Sequence, residues 1–184
     1  MARKLSEKQL IKKLEKMDKE QLQQTIVDLY KSSAAISDGI NMLMQGEAFG
    51  KELLEKYKKK LYKVFFPTNF AKAGFSLKTA QDILSEFGDK CVNDDGRWYG
   101  DLALYFAECA TEFTMSFGDI NEKFYEALGN AYHDAVVAAS KNENLYLLWK
   151  DRLEYIYYEL SDFGWGMGSW ISGLYYSIPW ISEE

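Results

Sequence analysis

Residues 119–139 read DINEKFYEALGNAYHDAVVAA. Ile120, Phe124, Leu128, Ala131, Ala135, Val136 and Ala139 recur at three- and four-residue steps, the spacing of one face of an α-helix. Asp119 with Glu122 three positions on reads as a capping box that starts the helix. Gly129 and the surrounding alanines predict the close approach of a neighbouring helix.

The same period recurs on both sides of this stretch. Trp98, Leu102, Phe106, Cys109, Phe113 and Phe117 trace a preceding helix stopped by Gly118. Ser76 caps another, with Leu77, Ala80, Ile83, Leu84 and Phe87 inward and Gly88 at its end. Leu53, Leu54, Tyr57, Leu61 and Val64 form an inward stripe over 51–65, closed by Pro67, and Lys56, Lys58, Lys59, Lys60 and Lys63 fall mostly on the other side. Ser32 to Met44 is a weaker helical stretch ending near Gly46. Ser6-Glu7-Lys8-Gln9 and Asp18-Lys19-Glu20-Gln21 are two capping signals in quick succession, so residues 6–31 are expected to form a helical hairpin. Downstream, Leu145, Leu148, Leu153, Ile156, Leu160 and Phe163 mark a further helix, and a short one is expected over 169–176. No segment sustains the two-residue alternation of a strand. The expected fold is all-α: one domain over 1–184 of seven or eight antiparallel helices, bundle-like or a short superhelix.

Composition agrees. The chain has 184 residues, of which only two are proline, and 47% are hydrophobic. That is too apolar for a disordered chain. Cys91 and Cys109 are too few for a disulfide framework, and the charged start resembles no signal peptide. The uncharged run 163–181 is broken by glycines, serines and Pro179, so no membrane span is expected. A cytoplasmic protein is the expectation. Net charge is −6, but residues 1–63 carry 14 Lys and Arg against 9 Asp and Glu, whereas 64–184 carry 8 against 19.

The order of segments resembles a bacterial family of all-helical proteins known only as a domain of unknown function. The likeness rests on Leu5-Ser6-Glu7-Lys8-Gln9-Leu10, Leu22 to Tyr30, Leu53 to Tyr57, Phe65-Phe66-Pro67, Ser76 to Ala80, Leu104 to Cys109, Glu112 to Tyr125 and Gly164-Trp165-Gly166. The resemblance implies a helical domain spanning most of the chain. It carries no functional residues, because the family has no assigned activity.

Catalytic parts are scarce. His133 is the sole histidine, and no Glu-x-x-His motif is present, so neither a triad nor a di-metal bundle site is expected. Asp101, Glu108 and Glu112 fall on one side of a helix and form the only candidate carboxylate cluster for acid–base work or a hard cation. A solvated or ion-paired face is the plainer expectation for them. Asn93-Asp94-Asp95-Gly96 fails as a calcium loop, because Cys91 and Leu102 stand where Asp and Glu are needed. Gly164-Trp165-Gly166-Met167-Gly168 lacks the third glycine and the preceding strand of a dinucleotide site. No cofactor and no metal are expected. Nucleic acid is disfavoured as a partner, since only Arg3, Arg97 and Arg152 accompany the basic N-terminal lysines.

Aromatic residues are the excess. Residues 146–184 hold 11 of the 29 aromatics and four of the five tryptophans. Trp165, Trp170, Tyr175, Tyr176 and Trp180 are therefore the candidate contacts for a protein partner or a second copy. The expected function is a non-enzymatic interaction or scaffold module, with nucleic-acid association and a carboxylate enzyme as alternatives.

Overall fold

The computed structural model describes residues 4–69, 74–91, 94–164 and 166–181. These contain nine helices and no strand. In chain order they are α1 (Glu7–Leu14), α2 (Lys19–Ser32), α3 (Ala34–Gln45), α4 (Glu47–Phe65), α5 (Leu77–Gly88), α6 (Arg97–Phe117), α7 (Glu122–Lys141), α8 (Glu143–Leu160) and α9 (Met167–Tyr176). The all-helical expectation holds, with more helices than the seven or eight foreseen. Gly46, with a φ of 61° that side chains rarely adopt, breaks α3 from α4 where the 32–44 stretch is expected to end.

Helix starts follow local chemistry. Ser6 and Asp18 each form the expected capping box, with Gln9 and Gln21 reaching back to the cap backbone. The box foreseen at Asp119 lies two residues too early. Asn121 caps α7 by accepting from the Phe124 amide, and Asp119 accepts from the Tyr125 hydroxyl instead.

The packing centre is the group α4, α6, α7 and α8, with α6 touching the other three and α7 packed on α8. α5 lies against α4 and α6, and α9 lies across α7 and α8. One end of the core is filled by phenylalanines. Phe75 sits 5.0 Å from Phe65 and 4.6 Å from Phe113, ring centre to ring centre. Such pairs add about 0.5–1.5 kcal/mol each beyond area burial. On α8 the inward stripe differs from expectation at Leu148, which is exposed, while the adjacent Trp149 is fully buried. The indole packs against Gly100 of α6, where a side chain would obstruct it.

The N-terminal end is built differently. α3 packs on α4, α2 packs on α3, and neither α1 nor α2 contributes a buried residue. Leu10, Ile11, Ile26, Val27, Leu29 and Tyr30, the apolar stripes of these two helices, are exposed. α3 itself is tied down by Asp38, which accepts from the buried Lys90 ammonium at 3.0 Å.

Candidate functional site

The aromatic C-terminal segment is partly structural and partly exposed. α9 crosses α7 with Trp170 seated on Gly129, so the expected close approach at Gly129 involves an indole rather than a helix backbone. The Trp180 indole donates to the Ala139 carbonyl at 2.9 Å, fastening the chain end to the C-terminal turn of α7. Tyr175 is buried and stacks on Tyr157, with centroids 4.5 Å apart and planes 6° from parallel. Trp165 lies outside the described residues.

Between α8 and this segment runs an open groove of about 990 Å³. One wall is Tyr146, Leu147, Lys150, Glu154, Tyr157 and Tyr158, and the other runs from Tyr175 to Ile181. Tyr175, Tyr176 and Trp180 of the expected contacts line it, whereas Trp170 does not. Its most exposed large hydrophobic side chains are Leu147 at 62%, Tyr158 at 66% and Tyr176 at 62%. The Tyr157 and Tyr176 hydroxyls meet at 3.0 Å. Burial, then the nearby Glu154 carboxylate, pushes the Tyr175 phenol up to about 12. The Tyr176 hydroxyl, followed by burial, raises Tyr157. These two phenols therefore stay neutral at physiological pH.

Leu147 and Tyr158 were missed in the sequence. They stand eleven residues apart, three helical turns, with Lys150 and Glu154 between them on the same face. That mixed polar and apolar stripe gives no hydrophobic-period signal.

The carboxylate cluster is an ion-pair network. Arg152 of α8 holds Glu108 through Nε–Oε1 at 2.7 Å and Nη2–Oε2 at 2.8 Å, and Asp101 through Nη1–Oδ1 at 2.9 Å. Lys58 of α4 reaches the same Asp101 oxygen at 2.8 Å. Three packed helices are thereby clamped together, with both Glu108 oxygens and Oδ1 of Asp101 held by cations. Burial pushes the Asp101 carboxyl up, but Arg152 and Lys58 together outweigh it and hold it below its ordinary value. Glu112 lies one turn beyond Glu108 and is exposed.

The remaining polar candidates are local devices. Asp94 accepts from the Trp98 and Tyr99 amides and Asp95 from the Arg97 amide, so this pair starts α6. His133 is exposed, 3.8 Å from Asp134. Among the described residues no three His, Cys, Asp or Glu side chains are grouped to hold a metal ion. Lys56, Lys59, Lys60 and Lys63 of α4 line a groove of about 600 Å³ that Asp38, Glu52 and Glu55 also line. No helix among the described residues is long and apolar enough to cross a membrane.

Residues 5–165 match the model of a family of unknown function, DUF6155. The chain belongs to this family. No curated protein and no solved structure matches it. The matched segment of this DUF6155 chain includes α1 to α8 and ends before α9. One wall of the aromatic groove thus lies inside the matched segment and the other beyond it.

Proposed function

We propose that the protein is a non-enzymatic protein-interaction module of the cytoplasm, with its partner seated in the groove between α8 and the C-terminal segment. The observation that carries this is the exposure of Leu147, Tyr158 and Tyr176 around one concave surface. Tyrosine suits the role: it offers large area and a hydroxyl at low entropic cost. Of the residues expected from sequence, Tyr175, Tyr176 and Trp180 serve this surface. Trp170, seated on Gly129, fixes α9 from outside the groove, and Asp101 and Glu108 pair with Arg152. The two free thiols accord with a reducing compartment.

The test is capture of partners by the wild type and by a Leu147→Ser/Tyr158→Ser variant. Both side chains are exposed, so the variant keeps the wild-type circular dichroism. Loss of the captured protein is expected, and unchanged capture contradicts the proposal.

The lysine-lined groove on α4 favours a second reading, association with nucleic-acid phosphates. It requires binding to single- or double-stranded nucleic acid at low salt that weakens steeply as salt rises. No binding at low salt excludes it.

A further inference from the structure

The first three helices hold apolar surface that a single chain leaves open. Of the twenty large hydrophobic side chains exposed among the described residues, ten lie within residues 5–44, under a quarter of the chain, so the exposure is concentrated there. α1 contributes Leu10 and Ile11. On α2, Ile26, Leu29 and Tyr30 recur at helical steps, as do Ile36, Leu43 and Met44 on α3. α2 packs on α3, where the Asn41 amide donates to the Tyr30 hydroxyl at 3.4 Å. Against this exposure, α1 and α2 bury no residue, and α3 buries only Gly39 and Met42.

Local sequence nevertheless commits these segments to helix, with a full capping box at Ser6 and another at Asp18. A helix as short as the eight residues of α1 is marginal in water, and helices in proteins draw most of their stability from packing an amphipathic face. The stripes therefore call for a cover that their own chain does not supply.

Area and charge identify the cover. At roughly 75 Å² each, half of a large apolar side chain, ten such residues offer about 750 Å². The largest apolar patch of a monomer is typically about 300–600 Å², and each side of a standard interface contributes about 800 Å². Residues 4–45 carry seven lysines against six carboxylates, a balance of +1, whereas 46–184 carry 14 Lys and Arg against 22 Asp and Glu, a balance of −8. Two copies repel through their acidic bodies and meet at this nearly neutral face without that repulsion.

We infer that α1, α2 and α3 pair with the same three helices of a second copy of this chain. The surface is the same on both partners, so the contact is isologous and stops at two chains. It shares no residue with the groove of α8 and the C-terminal segment, and so stands independently of the interaction reading above.

The full-length chain tests this by light scattering coupled to size exclusion. The expected mass is twice the 21.3 kDa of one chain. It is expected to be unchanged at about 1 M sodium chloride, where charges are screened beyond about 3 Å. Ile11→Glu and Met44→Glu each place a charge on an exposed stripe, and each is expected to halve the mass. Tyr158→Glu, in the groove, is expected to leave it doubled. Independently of any disruptive variant, a photo-crosslinking residue at the exposed position 27 is expected to join two copies, with the link falling within residues 5–44.

Interfaces of standard size bind at micromolar strength or tighter, so a wild type that is monomeric at about 100 μM overturns the inference. A mass that climbs past two chains, or that halves in salt, also overturns it, because the arm of one copy is then meeting the acidic body of the next. So do arm variants that keep the doubled mass, a Tyr158→Glu chain that loses it, or a link that falls outside residues 5–44. A monomeric wild type whose position-27 adduct is a different protein assigns the stripes to that protein and removes the second copy.

Discussion

Trp170 of α9 rests its indole directly on the backbone of Gly129 in α7, and a β-carbon at 129 would collide with the ring. The contact fixes where α9 crosses the bundle and hence where the second wall of the groove stands. Gly129→Ala gains about 1 kcal/mol of helix propensity. It forces the ring out of its seat at a cost of about 1–3 kcal/mol. The net expectation is a melting temperature lowered by up to several degrees, at roughly 2–4 °C per kcal/mol for this size. In a Trp170→Ala background the same substitution is expected to be neutral or stabilising, and a double-mutant cycle of thermal unfolding checks this.

Arg152→Met removes the cation shared by Asp101 and Glu108 and leaves only Lys58 nearby. The three side chains are 15–26% exposed. We therefore expect a loss of about 1–3 kcal/mol at neutral pH, below the range for fully buried pairs. The acid limb gives the sign. Asp101 has a folded pKa held below its ordinary 3.8. Its stabilising contribution is therefore complete above that value and is lost as pH falls below 3.8 through the folded one. Urea unfolding across this window is expected to show a shallower acid decline in Arg152→Met than in the wild type.

The ammonium of Lys90 is 3% exposed and pairs with Asp38 at 3.0 Å and with Glu86 at 3.9 Å. Asp38→Ala leaves that buried charge with the weaker partner alone, and α3 loses its tie to the end of α5. We expect a loss of about 2–4 kcal/mol in urea unfolding. Lys90→Met, which removes the charge and keeps most of the apolar stem, is expected to cost less.

Burial, aided by Asp94, pushes the Cys91 thiol up to about 12. Burial likewise pushes Cys109 up to about 12. The thiolate is the reactive form. Both cysteines are therefore expected to resist alkylation at pH 8 in the native protein and to react promptly in denaturant, as mass spectrometry would read.

Much of the fold was legible because helix formation here is locally encoded. Ser6, Asp18 and Ser76 cap where their spacing predicts, and the stripe from Leu102 to Phe113 is buried as expected. The misreadings arose where tertiary contacts decide. Leu148 and Trp149 are adjacent and both apolar, but four-residue steps from Leu145 and to Leu153 put Trp149 on the buried stripe, and Gly100 leaves room for its indole. Asp119 and Asn121 both suit a cap, and the Tyr125 hydroxyl claims Asp119. The groove was half legible. Aromatic density pointed to Tyr175, Tyr176 and Trp180, but Leu147 and Tyr158 are recognisable only once α8 and the C-terminal segment are brought together. The carboxylates were legible as a cluster. Their partner Arg152 comes from 44 residues beyond Glu108, and no local pattern links them.

A photo-crosslinking residue placed at position 158, with position 62 on α4 as an exposed control, tests the interaction surface most directly. Irradiation in cells is expected to yield a protein adduct from 158 and little from 62. No adduct from 158, or equal yields from both positions, would contradict the assignment of the aromatic groove as the binding surface.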